Sequence, residues 1–427
     1  MSTAYVSPLN DYTGRDFTNE ELGVAPAGDV VLGGQCVSAD ALPAGLAIHD
    51  VGVVAPVDLV PRRLHGWPKP YDFSEAPRAC FTPCGDLLMM TNTGIGHQWG
   101  QTDKRSELVA YRSRDNGATW SGPCHPWHVP YSEHAFNPLI PGDGNRIVAF
   151  MSDFHADYAC MPHTGALGIR TSDDNGHTWS EVRRVVPAND PGMRGVYHIQ
   201  GCETDAGTWL LGTYTIEEGV GIDGRVDYQY VLRSVDRGAT WDLLPGPRPA
   251  GWTLEPWKRM LEGRIIHLGG GECLMLTRTR AGCLYAIRSL DDGLTWTEPA
   301  PTALVHPDSP PMVWHLSDGK TLLALIHNKP GGNCQARDEL WCSLSVDRGH
   351  TWSEPRFLLA NAAAVVAPDG LGWMNGQNAN MEVCYADVVA RDGLLHLFYS
   401  HAKRHVHYLQ IPEGRLGSLP TRRELIG

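Results

Sequence analysis

No apolar run in this 427-residue chain approaches the roughly 18 residues that a membrane-spanning helix requires, so no membrane partner is expected. The opening residues, MSTAYVSPLNDYTG, contain no positive stretch followed by an apolar one, and no secretory leader is expected there. Basic residues are in the minority. Against 48 Asp and Glu stand 35 Lys and Arg, and the net charge of −13 argues against nucleic acid as a partner. The 11 Cys are scattered and odd in number, which suits a reduced, cytoplasmic protein whose thiols pack as small hydrophobes. His is abundant, at 19, yet HExxH, zinc-type His/Cys spacings and an EF-hand loop are all missing. No metal and no cofactor is therefore expected. The Gly-rich string Gly269–Glu272 is a hairpin turn rather than a phosphate loop, because no helix follows it.

What the chain does have is a repeat. Ser-x-Asp-x-Gly-x-Thr-Trp occurs five times, starting at Ser113, Ser172, Ser234, Ser289 and Ser345, at offsets of 59, 62, 55 and 56 residues. An even pitch of this size marks an array of one supersecondary unit, so the length is read as one domain, residues 1–427. Upstream of each of these Asp boxes lie strand-like runs separated by turn signals. In the fourth repeat they are RIIHL, GGGE, CLMLTRTR and CLYAIRS, and a shorter strand follows the box. Four antiparallel strands per repeat is the blade of a β-propeller. A sixth set after the boxes (VCYADVVA, LLHLFYS, HVHYLQI) has no box of its own. The expectation is an all-β, six-bladed β-propeller. The N-terminal segment 1–65, through GDVVLGG or GVVAPVDLV, would supply the closing strand of the last blade. The Asp boxes are structural: Asp and Gly make the turn, and Thr and Trp pack it.

In a propeller the starts of first and third strands and the ends of second strands share one mouth. Counting back from boxes and turns locates polar residues there. Glu262 opens the first strand of the fourth blade, and a turn centred near Gly270 puts Arg278 opposite it. Arg78 and Tyr385 open the first strands of the first and sixth blades. Arg337 and Asp103 begin third strands. Three guanidiniums around one point suit a carboxylate, because each offers forked donors and stays charged. His134 and His198, at the first strands of blades two and three, are candidates to touch substrate hydroxyls, and Trp99 to stack on a sugar face.

With its Asp boxes and this constellation, the chain resembles the bacterial exo-sialidase (neuraminidase) superfamily over roughly residues 70–410. Pro77-Arg78-Ala79 stands where the family has an arginine in a motif like Arg-Ile-Pro, and Tyr385-Ala386-Asp387 where it usually has Tyr-Ser. The resemblance implies a divergent, sialidase-like retaining glycosidase. It would release a terminal sialic-acid-like or other 2-keto-3-deoxy sugar acid. Tyr385 would be the nucleophile with Glu262 as its partner and Asp103 as acid/base, and Arg78, Arg278 and Arg337 would bind the carboxylate. A neutral phenol suits an anomeric carbon that carries a carboxylate, since an anionic nucleophile would be repelled. Two alternatives stay open: a uronic-acid glycan lyase or hydrolase using His and Tyr, and a non-catalytic glycan-binding propeller.

Overall fold

The computed structural model describes residues 18–66, 73–94, 106–127, 136–153, 166–195, 200–221, 224–331, 336–365 and 382–427. Six antiparallel sheets follow one another along the chain. The first is Phe73–Phe81, Leu87–Gly94, Ser106–Ser113 and Ser121–Cys124. The fourth is Leu261–Gly269, Glu272–Arg278, Cys283–Ser289 and Ala300–Val305. The second and third repeat this order from Asn137 and Cys202. The fifth begins at Met312–His315, and the sixth at Val383–Arg391. Each sheet is a blade, and the ring is a six-bladed propeller.

The core is not central but layered between blades. Six buried clusters fill the six junctions. Strand alternation divides each blade between two of them: Leu211 faces the second blade, while Leu210 faces the fourth. The box tryptophans Trp120, Trp179, Trp241, Trp296 and Trp352 each pack into the junction with the preceding blade.

The boxes also fasten that junction by hydrogen bonds. In each one the Asp accepts from the Ser hydroxyl, the Thr amide and the Thr hydroxyl, as at Asp236 (2.8, 2.8 and 2.6 Å). The residue after the Asp takes a left-handed backbone, as at Asn116 (φ 55) and Arg237 (φ 54). This leaves a turn carbonyl pointing outward, and the preceding blade donates to it. Arg112 Nη2 reaches the carbonyl of Asn175 (2.6 Å), Arg183 Nη1 that of Gly238 (2.6 Å), Arg233 Nε that of Asp292 (3.1 Å) and Arg288 Nη1 that of Arg348 (3.1 Å). Gln410 of the sixth blade does the same to Asn116 (2.7 Å).

The N-terminal segment closes the ring, but not through the strings expected from the sequence. The fourth strand of the last blade is Arg62–Gly66, paired with His405–Pro412. Val53–Pro56, from GVVAPVDLV, adds instead to the outer edge of the fifth blade, and Asp29–Leu32, from GDVVLGG, pairs with Gln35–Ser38. Arg62–Gly66 pairs along the edge of the sixth blade with one irregularity between Val406 and His407, whereas the earlier segments pair with the fifth blade and with each other.

Candidate active site

Three first strands share one irregularity near their starts. Two residues stand opposite one: Ala76 and Pro77 against Thr91, Glu262 and Gly263 against Thr277, and Tyr385 and Ala386 against Tyr399. The first of each pair has a left-handed backbone, with φ of 52° at Ala76, 56° at Glu262 and 51° at Tyr385. For a non-glycine residue this costs about 1–2 kcal/mol. A bulge of this kind re-aims the side chain it carries, and such strain gathers where function needs a particular direction. The bulge also corrects the expected pairing. Arg278 lies opposite Leu261, not Glu262, because the extra residue shifts the register by one at the mouth. The left-handed turn then swings Glu262 back, and Arg278 Nη1 donates to both of its carboxylate oxygens (3.0 and 2.8 Å).

Arg278 is also held from the other side. Its Nε donates to Asp308, which takes Nε of Arg280 (2.8 Å) and of Arg259 (3.1 Å) as well. Burial alone would raise the Asp308 carboxyl, but Arg278 and Arg259 outweigh it and hold Asp308 well below the usual carboxylate range. Likewise burial would lower Arg278, yet Asp308 and Glu262 raise it above the usual range, so it stays charged. Its Nη2 has no hydrogen-bond partner among the described residues. The backbone carbonyl of Asp308 takes Nη2 of Arg337 (2.6 Å).

Tyr385 stands beside this network, 7% exposed. The Arg337 guanidinium lies 5.7 Å from its ring centre, and the Lys403 ammonium 5.0 Å. Lys403 Nζ donates to the phenol oxygen at 3.5 Å. Glu382 sits between these cations, 3.8 Å from Arg337 and 3.9 Å from Lys403. Thus Tyr385, Glu262, Arg278 and Arg337 share one end of the propeller. Sequence reasoning missed Asp308, Glu382 and Lys403. The count that located Arg278 at the end of a second strand would have found Lys403 just past Leu394–His401.

Arg78 lies two residues beyond its bulge, the place that Arg264 and Asp387 hold in their own strands. These three meet further along the axis. Asp387 is fully buried and accepts from the Ala79 amide (2.8 Å), Trp314 Nε1 (3.0 Å) and Gln200 Nε2 (3.2 Å). Arg264 Nη1 is 3.8 Å away. Burial pushes the Asp387 carboxyl up, and the charges of Arg78 and Arg264 pull it back. At the rim position of the first blade stands Ala76, packed against Tyr385. Trp99, Asp103, His134 and His198 lie outside the described residues.

Six blades, five of them with Asp boxes, and a mouth holding a strained tyrosine, a strained glutamate and arginines, define a sialidase-like propeller. The chain belongs to the BNR repeat-like domain family, which matches residues 130–397. Among solved structures it is similar to a Hadza microbial sialidase (TM-score 0.60, 17% identity), covering 82% of this chain and 66% of that one, so this chain spans just under two thirds of that protein. It is similar to a protein of unknown function from Dyadobacter fermentans (TM-score 0.57, 16% identity, 82% and 98% covered). It is also similar to the leech intramolecular trans-sialidase solved with 2,7-anhydro-Neu5Ac (TM-score 0.55, 14% identity, 83% and 71% covered). At these identities the likeness is one of fold. No curated protein matches the chain by sequence.

Proposed function

We propose that the protein is a retaining glycoside hydrolase acting on a terminal 2-keto-3-deoxy sugar acid, sialic-acid-like in its reacting centre. The observation that carries this reading is the phenol of Tyr385, raised on a left-handed bulge and flanked by Arg337 and Lys403, with Glu262 on the matching bulge of the fourth blade. In this scheme the phenol oxygen attacks the anomeric carbon. The C–O bond to the aglycone breaks, and the leaving oxygen takes a proton from an acid for which Asp103 is the candidate. Glu262 receives the phenol proton, and Lys403 stabilises charge on the phenol oxygen as it attacks. Water then cleaves the tyrosyl–sugar bond, giving net retention.

The substrate carboxylate is assigned first to Arg278, whose Nη2 is uncommitted, and to Arg337. Arg78 contributes positive charge from beneath, shared with Asp387. His134, His198 and Trp99 would contact the rest of the sugar.

The test is a panel of aryl ketosides of 2-keto-3-deoxy sugar acids beside uronic-acid oligosaccharides. Hydrolysis of the ketosides with retention, by NMR, is expected. Tyr385→Phe and Glu262→Gln should each lower kcat at least about 100-fold, and a fluorinated ketoside should label Tyr385. Unsaturated uronate products would replace this reading with a lyase. Calorimetric binding without turnover would make the protein a glycan-binding propeller.

A further inference from the structure

The hairpin that presents Lys403 to Tyr385 also carries three histidines that the site above does not use. His401 and His405 are direct cross-strand partners, and His407 lies two residues further on, so all three share one face. Each is 1% exposed or less. Buried polar atoms are almost always paired. Here Nδ1 of His401, Nδ1 of His405 and Nε2 of His407 have no hydrogen-bond partner among the described residues. One ring nitrogen from each of the three lies within 4.8 Å of the other two.

The surroundings assign a lone pair on His401 and allow one on His407. Asn361 donates from Nδ2 to the carbonyl of Ala363 (2.8 Å), so its Oδ1, 2.6 Å from Nε2 of His401, must accept. His401 is therefore protonated at Nε2 and keeps a lone pair on Nδ1. The hydroxyl of Tyr399 lies 3.2 Å from Nδ1 of His407 and can hold that ring the same way, leaving Nε2. Ligating imidazoles are oriented by such outer contacts. Burial keeps all three rings neutral at pH 7, and the nearby Arg63 charge acts in the same direction. That charge opposes any cation, so the ligand bonds themselves must supply the affinity. Three neutral nitrogens without a carboxylate do not suit Ca2+ or Mg2+, which seek oxygen. They suit the late first-row metals.

We propose that His401, His405 and His407 form a site for a late transition-metal dication, Zn2+ in the first instance, which clips the hairpin carrying Lys403. Bonds of about 2.1 Å would bring ligand nitrogens to about 3.4 Å from one another, inside the 4.8 Å that bounds their separation here. The H-x3-H-x-H spacing matches no helical or knuckle motif, because its geometry comes from a hairpin turn at Ala402 and Lys403, both left-handed.

Chelator-stripped full-length protein would be titrated with Zn2+ and with Co2+. One equivalent of zinc per chain by elemental analysis is expected, with visible cobalt bands that zinc displaces and no thiolate charge-transfer band. His405→Gln and His407→Gln should each weaken binding at least about tenfold. The proposal is overturned if the folded parent binds no stoichiometric metal. It is also overturned if the cobalt spectrum shows thiolate ligation, or if binding is unchanged in both variants. The parent titration decides the matter even where a variant does not fold, and it is independent of any glycosidase activity.

Discussion

Asp387→Ala should be among the most destabilising single substitutions in this protein. The carboxylate accepts three hydrogen bonds, from residues of the first, third and fifth blades, and neutralises two buried arginines from the first and fourth. Arg78 is 4% exposed and Arg264 6%, so neither can recover its lost partner from solvent. Removing one member of a buried charge cluster typically costs about 3–5 kcal/mol, most of it the penalty of leaving the remaining charge unpaired. With a urea slope near 3 kcal/mol/M, the midpoint should fall by roughly 1 M. The decisive assay is a double-mutant cycle. Adding Arg78→Met to Asp387→Ala removes one of the stranded guanidiniums and should return about 1–2 kcal/mol, well outside additivity. Asp387→Ala lying within about 1 kcal/mol of the parent would refute the reasoning. So would strictly additive losses in the double variant.

Two further outcomes are expected. Burial holds His65 and His306 at a pKa of about 3 and His327 well below its usual value, against about 6.5 when unfolded. The unfolded chain therefore takes up protons that the folded one does not. Stability is full above pH 6.5 and falls as pH drops through the window between 6.5 and 3, by about 1.4 kcal/mol for each of these residues at pH 5.5. Urea midpoints unchanged between pH 7 and pH 5 would contradict this. Asp236→Ala removes three box hydrogen bonds from a largely exposed carboxylate. It should lower stability by about 1 kcal/mol and leave ligand binding unaltered; a change in ligand affinity on calorimetry would count against the purely structural reading of the boxes.

The ring was legible because its signal is periodic and local. Each box encodes its own turn, and counting between boxes located the mouth. Glu262, Arg278, Arg337 and Tyr385 emerged from that count. The bulges did not, because nothing in Ala76, Glu262 or Tyr385 as residue types announces a left-handed backbone. The count therefore erred by one at Arg278, although the side chains still met. Arg78 followed from the same count, but the sequence could not show that it shares Asp387 with Arg264, a meeting of three strands from three blades. The histidine hairpin escaped notice because H-x3-H-x-H is no known metal spacing, and only the turn at Ala402 and Lys403 folds it onto one face. Arg62–Gly66 was passed over for closure because its two arginines hide a strand that fits only against its partner.

Boxes fasten five of the six junctions, and the sixth, between the fifth and sixth blades, has none. There the polypeptide itself is the fastener. Val53–Pro56 lies on the edge of the fifth blade, and Arg62–Gly66, only a few residues later, completes the sixth. Leu416 and Leu419 from the far end of the chain fill the cluster beneath. During synthesis Arg62–Gly66 must therefore wait for the sixth blade, since His405–Pro412 is the strand it joins. Until the ribosome has delivered that strand, the ring is an open arc, and it closes only once the sixth blade has emerged.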